Sequence, residues 1–478
     1  MAVQTVTFRH ASRAAARPTR RPLAAVAVGF AVLSLLLVPP TLALGWDEIV
    51  YVSRWPEFGP AAPFSAPRSR GVPLLVAPVA AVTDSVVALR CYLAAAAGLA
   101  LYLGYRPWAA LLPGRAVAPT AAAAYGALWF ALFYGGAAMP NHYVAMAAVG
   151  AVGACVRGRW LPLALAVTAA GLMRASDAVW LALPLLAWPG RAGLAPRVAA
   201  VGGGLLAGVG PWLVEAELGF GGVWARLREA SEIQGGTGLT FSLLEHAAAL
   251  DGPLLCRPCE GDHVSWPMLG WWLLLPPLTA AGLYATRRTP PEARTAARPE
   301  VRTAVRPEVR TAVRLAVVTA CSLGFTYLFL IDYAATRFLL PCYALLAVPV
   351  VLGLGFVAAR LSSRAAAVGL TALALAQLAV QFDTLRTHAR IQERARADWE
   401  RVAEALRAHD VGPPCVLGGG QAIPVAHTLG CRAAEPGEEP TAFVLRDASS
   451  PRRARDWTVV EVADTYNPGW RVAVPPAR

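Results

Sequence analysis

Residues 23–51 read LAAVAVGFAVLSLLLVPPTLALGWDEIVY. The run from Leu23 to Leu44 is apolar almost throughout, and two carboxylates, Asp47 and Glu48, follow it directly. Crossing ~30 Å of hydrocarbon takes ~20 residues, so this run is long enough to span a bilayer. It is preceded by Arg9, Arg13, Arg17, Arg20 and Arg21 and by no acidic residue. A secretory signal peptide opens the same way, but its apolar core is only ~7–15 residues long. The run therefore reads as a first transmembrane helix with its N-terminus in the cytoplasm, which sets the acidic pair at the outer membrane surface.

The rest of the chain agrees with that opening. Of 478 residues, 56% are hydrophobic and 15% charged, and the mean hydropathy is +0.48. A soluble domain carries ~25% charged residues. These values exclude a disordered chain and argue against a soluble enzyme. The net charge is +13 and every cationic side chain but histidine is arginine. Such an excess also occurs in nucleic-acid-binding proteins, but here the arginines stand in loops beside apolar spans. The positive-inside rule accounts for that placement, and no nucleic-acid partner is expected.

Ten more apolar segments lie near 85–105, 117–138, 140–156, 160–173, 177–189, 197–214, 267–286, 315–331, 338–358 and 365–381, eleven with the first. The stretch 160–189 reads either as one long helix or as two broken at Arg174-Ala-Ser-Asp177. Arginine counting supports the break without fixing the number of crossings. With the break, the loops assigned to the cytoplasm hold 21 arginines and the short opposite loops hold 7. Without it, every later loop changes side and the eight-arginine loop 287–314 falls outside. The expected architecture is an all-α polytopic membrane protein of about 11 transmembrane helices. It has a cytoplasmic tail (1–22), a membrane domain (23–383) with outer loops 45–84 and 215–266, and a small extracytoplasmic α/β domain (384–478). The protein is expected in the cytoplasmic membrane, with the lipid bilayer as its first partner.

Between 294 and 314 the chain repeats as RTAARPEV, RTAVRPEV, RTAVR, and the proline in each unit opposes a continuous helix. This is expected to be a disordered cytoplasmic linker. In the tail, Trp399 to Ala408 reads as an amphipathic helix. Strands are expected at Pro414 to Leu417, Ala442 to Leu445 and Trp457 to Val462, with a helix from Ala422 to Leu429. Gly418-Gly-Gly after a strand is read as a tight turn, because it lacks the spacing of a phosphate-binding loop. Cys91, Cys155, Cys321 and Cys342 fall in spans. Cys256, Cys259, Cys415 and Cys431 fall in outer segments, where oxidation favours disulfides, with Cys415–Cys431 the preferred pair. There is no second CxxC and no HxxxH, so no zinc site is assigned.

Five features could carry chemistry. The first is Asp47-Glu48; partial desolvation at the lipid surface would raise a carboxylate's pKa towards that of a useful general base. The second is Arg68-Ser-Arg70 beside the apolar stretch 71–84, which is expected to lie along the interface. Arginine forks suit phosphate, although an interfacial anchor has the same composition. The third is Asp332 to Pro341, an outer turn carrying Arg337. The fourth is Arg174 to Asp177, also readable as an internal ion pair. The fifth is Met139-Pro-Asn141-His142-Tyr143, whose default reading is a polar turn. All five fall on the outer side. A base and several arginines around one cavity fit transfer of a group from a lipid phosphate to a hydroxyl.

With its acidic pair in the first outer loop, an interfacial stretch after it, many spans and an outer tail domain, the sequence resembles the GT-C superfamily of membrane glycosyltransferases. The Arg337-Phe-Leu-Leu-Pro341 turn also looks like a late segment of such proteins. The resemblance implies a polyprenyl-phosphate sugar as donor and a glycan, lipid or protein as acceptor. It implies Asp47 as catalytic base, Glu48 assisting or orienting it, and phosphate binding by Arg337; the reading of the residues themselves adds Arg68, Arg70, Arg174 and His142 as candidates for binding phosphate or substrate. Inversion at the anomeric carbon is expected, since no second carboxylate stands ready as a nucleophile. The acidic pair is also able to hold a divalent ion, but two carboxylates alone do not specify one. Two other readings stay open: a flippase or transporter of lipid-linked sugars, and a non-catalytic membrane scaffold.

Overall fold

A computed structural model of the chain describes residues 21–112, 114–188, 193–256, 265–287, 307–361 and 364–476. It is a polytopic helical membrane protein with a small α/β tail domain. All eleven expected apolar segments are helical. Helix α1 (Arg21–Leu37) stops ahead of Pro39-Pro40, where the missing amide hydrogens end the ladder. Then come the short α2 (Trp46–Val52), α3 (Gly71–Ala80), α4 (Val86–Leu111), α5 (Val117–Gly126), α6 (Trp129–Phe133), α7 (Asn141–Val156), α8 (Trp160–Met173) and α9 (Ala175–Ala187). They are followed by α10 (Leu194–Gly219), α11 (Val223–Ile233), α12 (Leu243–Ala248), α13 (Trp266–Ala285), α14 (Pro307–Phe329), α15 (Leu340–Ala358), α16 (Arg364–Arg407) and α17 (Ala422–Leu429). Among the described residues, six helices are long and apolar enough to cross a membrane, namely α4, α10, α13, α14, α15 and α16. Helices α1, α7, α8 and α9 are apolar but shorter.

The break at Arg174 is present: its backbone is extended (φ −150°, ψ 110°) between α8 and α9. Helix α10 packs along α8 in the same direction, and their backbones meet at small residues. A Cβ on Gly208 would stand 2.6 Å from the Thr168 carbonyl oxygen, so no larger residue fits.

Three expectations are corrected. The segment 117–138 is two helices, α5 and α6, separated at Ala127-Leu128. The Trp129 amide, which a continuous helix would keep, donates instead to Gln381 Oε1 on α16 at 2.8 Å. The linker does not reach Arg314, because Pro307 to Arg314 is the first part of α14. Pro307 is the first helical residue, where a missing N–H costs nothing. The repeat units before it lie outside the described residues. The tail does not begin as a separate piece near 384, because α16 runs unbroken for 44 residues through that point.

The tail domain forms a five-stranded sheet of order β4-β3-β5-β7-β6, with α16 and α17 packed against it. Strands β3 (Val416–Gly418), β4 (Arg432–Ala433) and β5 (Ala442–Arg446) are parallel, and β6 (Thr458–Glu461) and β7 (Trp470–Val474) join antiparallel. Gly419 turns the chain at φ +107°, where a Cβ would lie 2.1 Å from the Val444 carbonyl oxygen. The expected tight turn is thus present. Cys415 and Cys431 are bonded, joining the residue before β3 to the residue before β4. Cys91, Cys155, Cys321 and Cys342 are free thiols, and Cys259 lies outside the described residues. Two further short strands, β1 (Leu255–Cys256) and β2 (Ala334–Ala335), pair antiparallel beside the Arg337 turn.

Candidate active site

The tail domain sits at the end of the bundle that carries α2, and α17 packs on α2. Gly45 caps α2, and the Glu48 carboxylate reaches back to the Gly45 amide at 2.7 Å, half of a capping box. This cap fixes which way the two adjacent carboxylates point, and they diverge.

Glu48 turns inward and is 3% exposed. It accepts from the Ala138 amide at 2.8 Å, from Arg90 Nη2 at 2.9 Å and Nη1, and from Arg396 Nη1 at 3.4 Å. Burial pushes its pKa up, but Arg90, Arg396 and the Gly45 amide outweigh that, so it sits below the ordinary carboxylate value.

Asp47 turns outward, and its side chain is 30% exposed. Oδ1 accepts from Arg68 Nη2 at 2.6 Å and Oδ2 from Arg337 Nη2 at 3.0 Å. The expectation that desolvation raises this carboxyl is corrected. Burial does push it up, but Arg68, Arg337 and Arg174 hold it below its ordinary value. Arg68 lies over the rings of Trp46 and Tyr51, at 5.4 and 4.9 Å from their centroids. Arg337 lies 5.5 Å from the Phe338 centroid and donates to the Tyr134 hydroxyl at 3.4 Å. Arg174 lies 5.6 Å from the same Phe338 ring and 5.4 Å from Tyr327. Its Nε is 3.6 Å from Asp177 Oδ2, the expected internal pair. Asp177 is fixed in turn by the Tyr327 hydroxyl at 2.7 Å.

The structure thus gathers Asp47, Arg68, Arg174 and Arg337 into one cluster. Arg70 stands apart, donating through Nε to Glu215 at 2.9 Å. His142 is not gathered either, nor does its segment form the polar turn expected. It lies in α7, 1% exposed, stacked on Phe30 at 5.2 Å. Its ring nitrogens are 3.0 Å from the Tyr125 hydroxyl and 3.0 Å from the Ala97 carbonyl oxygen. Sequence reasoning missed Arg90 and Arg396. Arg90 is a lone charge inside an apolar span, and the cost that singled out Arg174 singles it out equally. Arg396 is one of many arginines between 386 and 407, and nothing local distinguishes it.

The carboxylates do not suit a divalent cation. Both oxygens of each are already taken by guanidinium or amide donors. Among the described residues no group of three His, Cys, Asp or Glu side chains comes together.

No protein-family profile matches the chain, and no curated protein matches it. Solved structures do. The crystal structure of ArnT from Cupriavidus metallidurans bound to undecaprenyl phosphate matches over 95% of this chain and 98% of that one, with a TM-score of 0.56 and 12% identity. Its apo form covers the same shares at a TM-score of 0.49. The chain shares the fold of that undecaprenyl-phosphate-bound structure. Within this fold the acidic pair of α2 follows α1, α3 comes next in the chain, and the α14–α15 turn supplies Arg337.

Proposed function

We propose that this protein is a membrane glycosyltransferase that moves a sugar from a polyprenyl-phosphate donor to a hydroxyl acceptor on the outer side of the cytoplasmic membrane. One observation carries the reading: a single ionised carboxylate, Asp47, is clasped by two arginines in a fold shared with a protein whose structure was solved with undecaprenyl phosphate. Asp47 takes the acceptor proton. The acceptor oxygen bonds to the anomeric carbon as the bond from that carbon to the phosphate oxygen breaks, and polyprenyl phosphate leaves. The configuration inverts, since each sugar carbon is attacked once. Arg68, Arg337 and Arg174 neutralise the departing phosphate. Glu48 orients α2 from behind.

The clasp also suggests a timing. With Arg68 and Arg337 on its oxygens, Asp47 is a weak base. A donor phosphate competes for those forks and, in drawing them off, returns Asp47 towards ordinary basicity. The test uses purified protein in lipid with radiolabelled polyprenyl-phosphate mannose, arabinose and glucose and an envelope acceptor fraction. Asp47→Asn is expected to cut transfer by ~10²–10⁴ while undecaprenyl phosphate still binds. Transfer at the wild-type rate by the folded variant refutes Asp47 as base.

A further inference from the structure

Beyond the Asp47 cluster lies a second group of cations. Arg54, in the turn after α2, has its Nε and Nη2 buried with no hydrogen-bond partner among the described residues. Its guanidinium lies 5.5 Å from the Phe64 ring centroid, and that of Arg70 lies 4.0 Å from the same centroid. The one carboxylate bonded within this group is Glu215, and it is shared: Oε1 serves Arg70 and Oε2 serves Arg226 at 2.9 Å. Arg226 is fully occupied. It is buried and donates to the carbonyls of Ala66 at 3.0 Å, Trp212 at 2.8 Å and Arg68 at 3.0 Å. It is a tie that fixes the 66–68 loop, not a ligand-facing group. Arg70 is 39% exposed and keeps donors to spare. Two guanidiniums therefore share one carboxylate, and Arg54, which faces the same ring as Arg70, is bonded to no carboxylate among the described residues. Burial and the charges of Arg70 and Arg68 weigh against the cation on Arg54, with Glu215 and exposed Glu435 of the tail domain opposing them. Such an arrangement is relieved by an anion.

We infer that Arg54 and Arg70 form an anion subsite for a phosphoryl group carried by the acceptor, distinct from the Asp47–Arg68–Arg337 cluster. Two forks match the oxygens of a tetrahedral phosphoryl group. The assignment to the acceptor rests on the glycosyltransferase reading. The link is the 66–70 segment: Arg68 points to Asp47, and Arg70, two residues on, points to the second group. An acceptor held there by its phosphoryl group lies beside the base.

The full-length protein in phosphatidylcholine nanodiscs provides the test, with binding measured apart from transfer. The probes are inorganic pyrophosphate, for a soluble source, and phosphatidic acid doped into the nanodiscs, for a lipid headgroup. Arg54→Gln is expected to weaken at least one probe by about tenfold and to leave undecaprenyl phosphate binding within twofold. Glu435→Gln is expected to tighten the same probe, a gain that a merely structural loss cannot mimic. Response of pyrophosphate assigns a soluble phosphoryl group, and response of phosphatidic acid alone assigns a membrane lipid. Neither probe responding to Arg54→Gln overturns the subsite. An equal loss of undecaprenyl phosphate binding assigns the arginines to the donor and overturns the acceptor reading. If the subsite binds but no sugar is transferred by the wild type, the glycosyltransferase reading fails and the anion site stands.

Discussion

At the scale of the residue, two neighbouring acids meet different sets of partners. Glu48 spends its oxygens on Arg90, Arg396 and two backbone amides. Removing its charge leaves buried cations unpaired, and Glu48→Gln is expected to cost about 3–5 kcal/mol in unfolding experiments. The pH dependence has a definite sign. Because the native pKa of Glu48 lies below its ordinary 4.5, its contribution is complete above pH 4.5. The contribution is lost as pH falls from there through the depressed native value. Melting temperature should fall over that window in the wild type and stay flatter in Glu48→Gln; parallel curves refute the pairing. Asp47 makes a kinetic prediction. The free protein, reported by kcat/KM, holds Asp47 below its ordinary 3.8, whereas kcat reports the donor complex. If the donor phosphate draws off the arginines, the acid limb of kcat lies at higher pH than that of kcat/KM, by about 1 pH or more. Coincident limbs count against that timing. The acidic pair was legible from its place after the first span. Its divergence was not, because the arginines that hold Glu48 inward, Arg90 and Arg396, lie 42 and 348 positions away.

At the scale of the element, hydropathy found every apolar helix, but its resolution stopped at their ends. The Arg174 break was visible as a charge with a cost and as a count of arginines. The α5–α6 break was not, since Gln381, some 250 positions away, creates it. The start of α14 was obscured because the same proline that breaks a helix inside opens one at its first position. Strand β7 carries no strong signal, as a short run after a Pro-Gly turn, and only the register with β5 and β6 reveals it. The α8–α10 seam yields a paired test. Gly208→Val meets the Thr168 carbonyl and is expected to destabilise by about 1–3 kcal/mol or more. Gly203→Val, with nothing within 4 Å of its Cβ, is expected to be nearly neutral. Thermal unfolding in detergent separates the two, and equal losses deny the close seam.

At the scale of the whole molecule, the proposal depends on sidedness. Glu57 is an exposed residue just after α2, and Arg159 is an exposed residue between α7 and α8. A membrane-impermeant maleimide should label Glu57→Cys in intact cells and Arg159→Cys only after permeabilisation. The reverse pattern puts the acidic pair in the cytosol, away from the proposed site. The free thiols at Cys91 and Cys321 set the background for that experiment. The bonded Cys415–Cys431 pair accords with an oxidising compartment for the tail. Helix α16 ties these levels together. It takes the Trp129 amide through Gln381 within the bundle and reaches Glu48 through Arg396. Its Asp398 accepts the Tyr466 and Asn467 amides of the tail loop at 2.6 and 2.9 Å. With no joint between those grips, any tilt of the tail would be carried to the acid pair along one unbroken helix.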